Sequence, residues 1–382
     1  MMPDTEQPRP ATASDRPILQ RDGLQRDGLQ RDGLQRDGRP LRVMQLMAGA
    51  AHGGAEAFFD RLAIAFHRAG IEQAIAVRPH EERMAKLRAA GLDPKGLRFG
   101  RHADLKTWWT LRRMVKRFRP DIVLTWMNRA TAACPSGDFV HVARLGGYYD
   151  LRHYRGADHL VGNTRDIVAY LRRKGVPADR SHYVPNFVDA TPLPAEPRAR
   201  WGTPEDAPLI LGLGRLHPNK GFDVLIRAVA QVPRAHLWIA GVGSLEDDLR
   251  ELARSLGITD RVSFLGWRAD VAALYAAADV FVCSSRHEPL GNIVLEAWAH
   301  HVPVVAAASQ GPSELIAHGV NGLLVPVDND AAMAASIETV LRETGLRETM
   351  VAGGRATYEG HFTEAAVVRA YADLFARILP NR

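Results

Sequence analysis

Ser284-Ser285-Arg286-His287-Glu288-Pro289-Leu290-Gly291-Asn292-Ile293-Val294-Leu295-Glu296-Ala297 is the stretch on which the fold turns. An apolar run of strand composition, Val280 to Cys283, precedes it and an apolar segment of helical character follows, so the two glutamates straddle a strand-to-helix turn. Pro289 and Gly291 break regular structure. A helix starting near Asn292 then aims unsatisfied N–H groups and the positive end of its dipole at whatever sits above the strand, an arrangement that suits a phosphate. Glu288 lies beside that position, where a carboxylate is tolerated if it turns away to accept hydrogen bonds from neutral hydroxyls. Glu296, about one turn into the helix, can reach a second set of hydroxyls. Phosphates between two hydroxyl-bearing ends describe a nucleotide-sugar. The plainer alternative makes Glu296 a first-turn acid favoured by the dipole and Glu288 a solvated loop residue.

Working outward, an earlier strand from Leu209 to Leu213 ends in Gly214-Arg215-Leu216-His217-Pro218-Asn219-Lys220-Gly221 ahead of a helix expected over Val224 to Val232. Arg215 and Lys220 can converge on one diphosphate, or stay as solvated surface cations. Together, the Gly-Arg-Leu…Lys-Gly segment and the later Glu-x7-Glu segment resemble those of the retaining, nucleotide-sugar-dependent glycosyltransferases of family 4, the group 1 glycosyltransferases, over nearly everything after residue 40. The resemblance implies a GT-B architecture, α/β, with two Rossmann-like doubly wound parallel-sheet domains facing a cleft. It also implies that Glu288 binds the sugar hydroxyls and Glu296 the ribose, with retention of anomeric configuration.

Composition sets the frame. A chain of 382 residues with 46% hydrophobic and 24% charged residues can fill two ordinary cores, and a formal charge of +6 favours phosphate-bearing or anionic surfaces without calling for nucleic acid. Cys134 and Cys283, far apart and outside any Cys/His cluster, give neither a disulfide framework nor a zinc pattern, so a cytoplasmic setting is expected. No run of eighteen apolar residues and no secretion signal is visible. Residues 1–40 read as a disordered low-complexity tail: Leu-Gln-Arg-Asp-Gly repeats four times from Leu19 to Gly38, too poor in apolar surface to offset ordering.

The first domain, residues 41–190, opens with a strand from Leu41 to Met47 and a turn containing His52-Gly53-Gly54-Ala55-Glu56 before a helix from Ala55 to Arg68. Paired glycines allow close backbone approach to a ligand. The Gly-x-Gly-x-x-Gly spacing of dinucleotide binders is absent, which disfavours a dehydrogenase. By resemblance Gly53 and Gly54 lie at the interdomain cleft, with His52 and Glu56 less firmly placed. Family members often set a histidine at the end of the Val140 to Arg144 strand to touch the donor sugar. Here Gly146 or its neighbour holds that position, leaving Arg144 and Tyr148 as local candidates and His141 as a weaker one, since a lone histidine within a strand is more often satisfied in the core. From Arg101 to Arg119 seven Lys or Arg accompany one acid and the pair Trp108-Trp109, so this helix is either an ordinary crossover or one that rests on an anionic membrane surface.

Residues 191–208 form a proline-rich linker, residues 209–362 the nucleotide-sugar-binding domain, and residues 363–382 a helix crossing back to the first domain. Gly266-Trp267-Arg268 resembles the family segment at the nucleotide base, where Trp267 can stack or pack inside. Asp328-Asn329-Asp330 matches an Asp-x-Asp metal pattern but precedes a helical run and reads better as an N-cap cluster. With Arg215, Lys220 and the helix start at Gly291 and Asn292 available to the leaving group, no metal and no cofactor is expected beyond a UDP- or GDP-type donor sugar as co-substrate. The expected partners are that donor and a glycan or glycolipid acceptor of lipopolysaccharide or other envelope synthesis, with peripheral membrane contact and no nucleic acid. The alternatives are a nucleotide-sugar epimerase or hydrolase, or a non-catalytic nucleotide-sugar-binding protein.

Overall fold

A computed structural model of the chain describes residues 35–36, 38–51, 53–100 and 104–380. A small antiparallel ribbon, β1 (Gln35–Arg36) and β2 (Arg39–Pro40), comes first. The first sheet then takes β3 (Arg42–Met47), β4 (Glu72–Val77), β5 (Pro94–Gly96), β6 (Ile122–Trp126), β7 (Val140–Leu145), β8 (His159–Gly162) and β9 (Ser181–Tyr183). The second takes β10 (Leu209–Leu213), β11 (His236–Ala240), β12 (Val262–Gly266), β13 (Val280–Cys283), β14 (Val304–Ala307) and β15 (Leu323–Val325). All pairings within the two sheets are parallel, in the orders β5-β4-β3-β6-β7-β8-β9 and β12-β11-β10-β13-β14-β15. Strands such as Val280–Cys283 are buried throughout, which is why they read as unbroken apolar runs rather than alternating ones.

Helices α1 (Gly54–Arg68), α2 (Glu81–Ala89), α3 (Leu105–Phe118), α4 (Met127–Ala132) and α5 (Arg165–Arg173) belong to the first sheet. The second carries α6 (Phe222–Gln231), α7 (Glu246–Ser255), α8 (Val271–Ala277), α9 (Asn292–Ala299), α10 (Gln310–Leu315), α11 (Asp330–Arg342) and α12 (Thr344–His361). Strand order reverses between β3 and β6 and again between β10 and β13, so each sheet opens a crevice at the carboxyl ends of those strands. The last helix, α13 (Glu364–Ile378), returns to the first core: Val367, Tyr371 and Phe375 are buried with Phe66, whose ring stands 5.4 Å from that of Tyr371. Each such side chain contributes roughly 1.5–3 kcal/mol on burial, enough to tie the chain's end across the domain boundary.

The segments on either side of the first domain carry specific contacts. The end of the supposed disordered tail is ordered: Arg39 of the ribbon donates to both Asp121 carboxylate oxygens at 2.8 Å and Arg36 donates to the same group at 3.1 Å; residues 1–34 and Asp37 lie outside the described residues. The proline-rich stretch that links the two domains has partners in the second one. Glu196 is buried, its N–H donates to the Ala273 carbonyl, and Thr203 accepts a hydrogen bond from the Trp238 indole at 2.9 Å, so this segment is packed onto the second domain. Proline density restricted the backbone, but side-chain partners far along the chain decided where it lies.

Candidate active site between the two sheets

The two motif loops of the second domain form one structure. Gly221 has a φ of 63°, in the left-handed region, and a Cβ there would run into the Ser284 carbonyl oxygen; only glycine lets the turn seat against the end of β13. The Ser284 hydroxyl completes the join by donating to the Lys220 carbonyl at 2.9 Å. Lys220 consequently reaches Glu288 in an ion pair, while the Gly291 N–H donates to the other Glu288 oxygen at 3.3 Å. Gly291 caps α9 and Asn292 is its first residue, so the helix begins facing the cleft. Arg215 is exposed and has no partner among the described residues. Arg286 does not face the site: it is held between Asp223 and Asp328, bracing the loop from behind.

Glu296 lies deeper along α9, 3.5 Å from the Tyr275 hydroxyl. Burial pushes its carboxyl up to about 7, against the pull of Arg61, which comes from α1 of the other domain. Burial in turn lowers Arg61, and its Nε is buried without a hydrogen-bond partner among the described residues. The sequence carried no local sign of Arg61, because its role depends on two domains meeting.

On the first-domain side, Gly53 caps α1 and Gly54 is its first residue. The glycine at 53 makes room for a neighbour rather than directly for a ligand. A Cβ there would strike the Glu56 carboxylate, which folds back to accept from the Ala50 N–H at 2.8 Å. Among the described residues no atom lies within 4 Å of the Cβ position at Gly54. His52 lies outside the described residues.

Arg144 ends buried at the carboxyl end of β7. Its Nε donates to the Tyr371 hydroxyl at 3.1 Å and its Nη2 to the Asn186 side-chain oxygen, and Asn186 donates on to the Asn292 side chain at 3.3 Å. One chain of hydrogen bonds thus joins β7, α13, the interdomain segment and the start of α9. His141 is a core residue, bonded to Thr125 at 2.9 Å and to the Gly156 carbonyl at 3.1 Å. Tyr148 donates to Asp166 at the start of α5, and Glu314 of α10 crosses the cleft to accept from the Arg165 and Asp166 N–H groups at 2.7 and 3.3 Å.

At the end of β12 Trp267 is 72% exposed, so the packed alternative is excluded and its ring is free to stack. Arg268 is committed elsewhere, clamped by Glu196 and Asp270 at 2.6 Å each. The Asp328-Asn329-Asp330 run acts as a cap and brace: Asn329 accepts from the Ala332 N–H at 2.8 Å and Asp330 accepts from Gln231 at 2.6 Å. Among the described residues no cluster of three or more His, Cys, Asp or Glu is placed to hold a metal.

Comparison with known proteins bears on the family and the fold. The family model described as glycosyl transferases group 1 matches residues 195–357, and that described as glycosyltransferase family 4 matches residues 52–191. The chain is 35% identical to the lipopolysaccharide core biosynthesis glycosyltransferase LpsD of Rhizobium meliloti, over 90% of this chain and 100% of that one. It is 37% identical to LpsE of the same organism, over 85% and 96% respectively. The fold is shared with Anabaena Alr3699/HepE solved in complex with UDP (TM-score 0.77, 21% identity, 88% of this chain and 100% of that chain). It is shared also with WaaG, a glycosyltransferase involved in lipopolysaccharide biosynthesis (TM-score 0.63, 20% identity, 88% and 99%). The chain belongs to the group 1, family 4 glycosyltransferases and has their GT-B fold.

Proposed function

We propose that this glycosyltransferase moves a sugar from a nucleotide-diphosphate sugar to an acceptor hydroxyl, with retention and without a metal, in the building of a lipopolysaccharide core or related envelope glycan. The observation that supports the reading is the joined pair of loops, in which Lys220 meets Glu288 beside the start of α9 at the carboxyl ends of β10 and β13, with Arg215 exposed on the same loop and without a partner among the described residues. As the C1–O bond breaks, charge builds on the departing diphosphate. Two cations and a helix N-terminus stabilise that charge as it develops. On donor binding Lys220 exchanges Glu288 for phosphate, freeing Glu288 to accept from the sugar hydroxyls, while Glu296 takes the ribose. The departing phosphate oxygen accepts the acceptor's proton on the same face of the sugar. The names of LpsD and LpsE support the envelope assignment.

Helix α3 supports a glycolipid acceptor reached from a membrane surface. Only Thr107 and Leu111 of α3 are buried, whereas Leu105, Trp108 and Trp109 are exposed among Lys106, Arg112, Arg113, Lys116 and Arg117. A helix with tryptophans outside and cations beside them suits an anionic interface. No helix among the described residues is long and apolar enough to cross a membrane.

A thermal-shift screen of the purified chain against UDP- and GDP-sugars, with and without EDTA, tests the core of this. A donor at a hundredfold over its Kd adds about 2.7 kcal/mol of stability. Stabilisation by one donor, unchanged by EDTA, is expected; stabilisation by none refutes the donor site, and loss on EDTA refutes metal independence.

A further inference from the structure

Arg144 is a buried cation without a counter-charge. It is 3% exposed, its guanidinium sits 4.6 Å from the Phe58 ring centroid and 4.7 Å from that of Trp126, and its hydrogen bonds go to a tyrosine hydroxyl and an asparagine oxygen. No carboxylate lies within ion-pair distance, and Nη1 has no hydrogen-bond partner among the described residues. Aromatic faces offset part of the desolvation of a guanidinium, but an unpaired buried charge remains expensive.

Nη1 faces a gap. A Cβ at Gly146 would lie 3.8 Å from it and 3.7 Å from Nδ2 of Asn163, which are ordinary contact distances. Gly146 has no positive φ, so its backbone does not demand glycine; what glycine provides is space, and Gly146 is exposed. Asn163 is 4% exposed, its side chain makes no hydrogen bond among the described residues, and its Oδ1 is buried without a partner. Such an amide would ordinarily be replaced by an apolar side chain at no loss to the fold. Arg144 Nη1 and Asn163 Nδ2, neither with a hydrogen-bond partner among the described residues, therefore both border the space at Gly146, and hydrogen bonds link Arg144 through Asn186 to Asn292 at the start of α9.

We propose that the recess receives the carboxylate of a uronate-type sugar. A carboxylate supplies two acceptor oxygens, one for Arg144 Nη1 and one for Asn163 Nδ2, and the negative charge that Arg144 lacks. The inference rests on the transferase reading above and refines its substrate class. The carboxylate belongs either to the transferred sugar or to the acceptor, and the test separates the two.

Calorimetric titration of the full chain compares UDP-glucose with UDP-glucuronate, and GDP-mannose with GDP-mannuronate, then titrates a methyl glucuronoside into protein saturated with UDP or GDP. A donor-borne carboxylate is expected to bind about ten- to hundredfold tighter than its hexose, the range of charge-assisted hydrogen bonds. Equal donors with a methyl uronoside that binds the nucleotide complex place the carboxylate on the acceptor. Asn163→Leu is expected to keep or raise Tm, since it removes an unsatisfied amide, while abolishing whichever uronate preference is found; Gly146→Leu, which fills the recess, does the same to the preference. Nucleotide binding with no uronate preference in either arm overturns the inference and leaves the transferase reading standing, as does a drop of several degrees in Asn163→Leu, which would mark a packing role. Failure of both UDP and GDP to bind removes both readings.

Discussion

Lys220→Met tests the site most directly, because one side chain does two separable things. In the ligand-free site Lys220 pairs with Glu288, the two side chains being 20% and 12% exposed. Removing the ammonium leaves Glu288 with the Gly291 N–H at 3.3 Å and little else. A pair of this burial lies between exposed ion pairs, worth 0–1 kcal/mol, and fully buried ones, whose breaking costs 3–5, so a loss of about 1–3 kcal/mol in stability is expected. In domains of this size that is a fall of roughly 2–12 °C in Tm. Function loses a charge-assisted hydrogen bond to the departing diphosphate, about 1.5–3 kcal/mol, or ten- to hundredfold in kcat/KM. The double variant Lys220→Met with Glu288→Gln separates the two effects: without the unpaired carboxylate Tm recovers, while kcat/KM stays low. Urea unfolding and initial rates with the donor found by the screen read both quantities. A folded Lys220→Met with kcat/KM within about twofold of the parent would refute the placement of the diphosphate between these loops.

Glu296 ties stability and donor binding to pH in opposite directions. Burial holds its folded-state carboxyl at about 7 against an ordinary value of 4.5. The folded chain thus binds that proton more tightly than the unfolded one, and Glu296's contribution to stability is present below 4.5 and declines as pH rises toward 7. Nucleotide affinity should rise over the same interval, as the ionised carboxylate becomes available to the ribose hydroxyls, and Glu296→Gln should flatten both curves; a parent protein whose affinity is level from pH 5.5 to 8 rules this out. Glu314→Gln removes a charged cap from α5 across the cleft and should cost about 1 kcal/mol and enlarge the radius of gyration by small-angle scattering, whereas an unchanged scattering profile would show that the contact does not hold the domains together. Replacing Trp108 and Trp109 by serine should abolish salt-sensitive flotation with anionic vesicles without lowering Tm, both rings being exposed; equal flotation of parent and variant discards the membrane surface. Gly221→Ala should destabilise the chain and depress turnover together, since the clash with Ser284 pushes both motif loops apart, and normal values of both would contradict the close approach.

Much of the site was legible because its chemistry is local. The strand-turn-helix passages at Leu209–Leu213 and Val280–Cys283 carry their own period, breakers and caps, so their positions and the cations and carboxylates beside them follow from sequence spacing. Asn329 was legible as a cap for the same reason, and it accepts from the Ala332 N–H at 2.8 Å. Other assignments depended on where distant segments land. Arg268 was expected at the nucleotide but is held by Glu196, 72 residues earlier. The reading of α3 left its tryptophans undecided because composition does not say which side of a helix faces the core, and packing turned Leu111 inward and both tryptophans outward.

The amino-acid sequence by itself determined the family, the two alternating α/β halves and the order of the motif loops, because strand burial, helix periodicity and turn chemistry act over a few residues. Tertiary structure alone decided what those residues touch: Lys220 against Glu288, Arg61 facing Glu296, Glu314 on α5, and Arg144 stranded without a carboxylate beside the space at Gly146. These are meetings of groups many residues apart, at distances where a few ångströms separate an ion pair from a solvated charge, and only the packing of the two sheets and the return of α13 sets those distances.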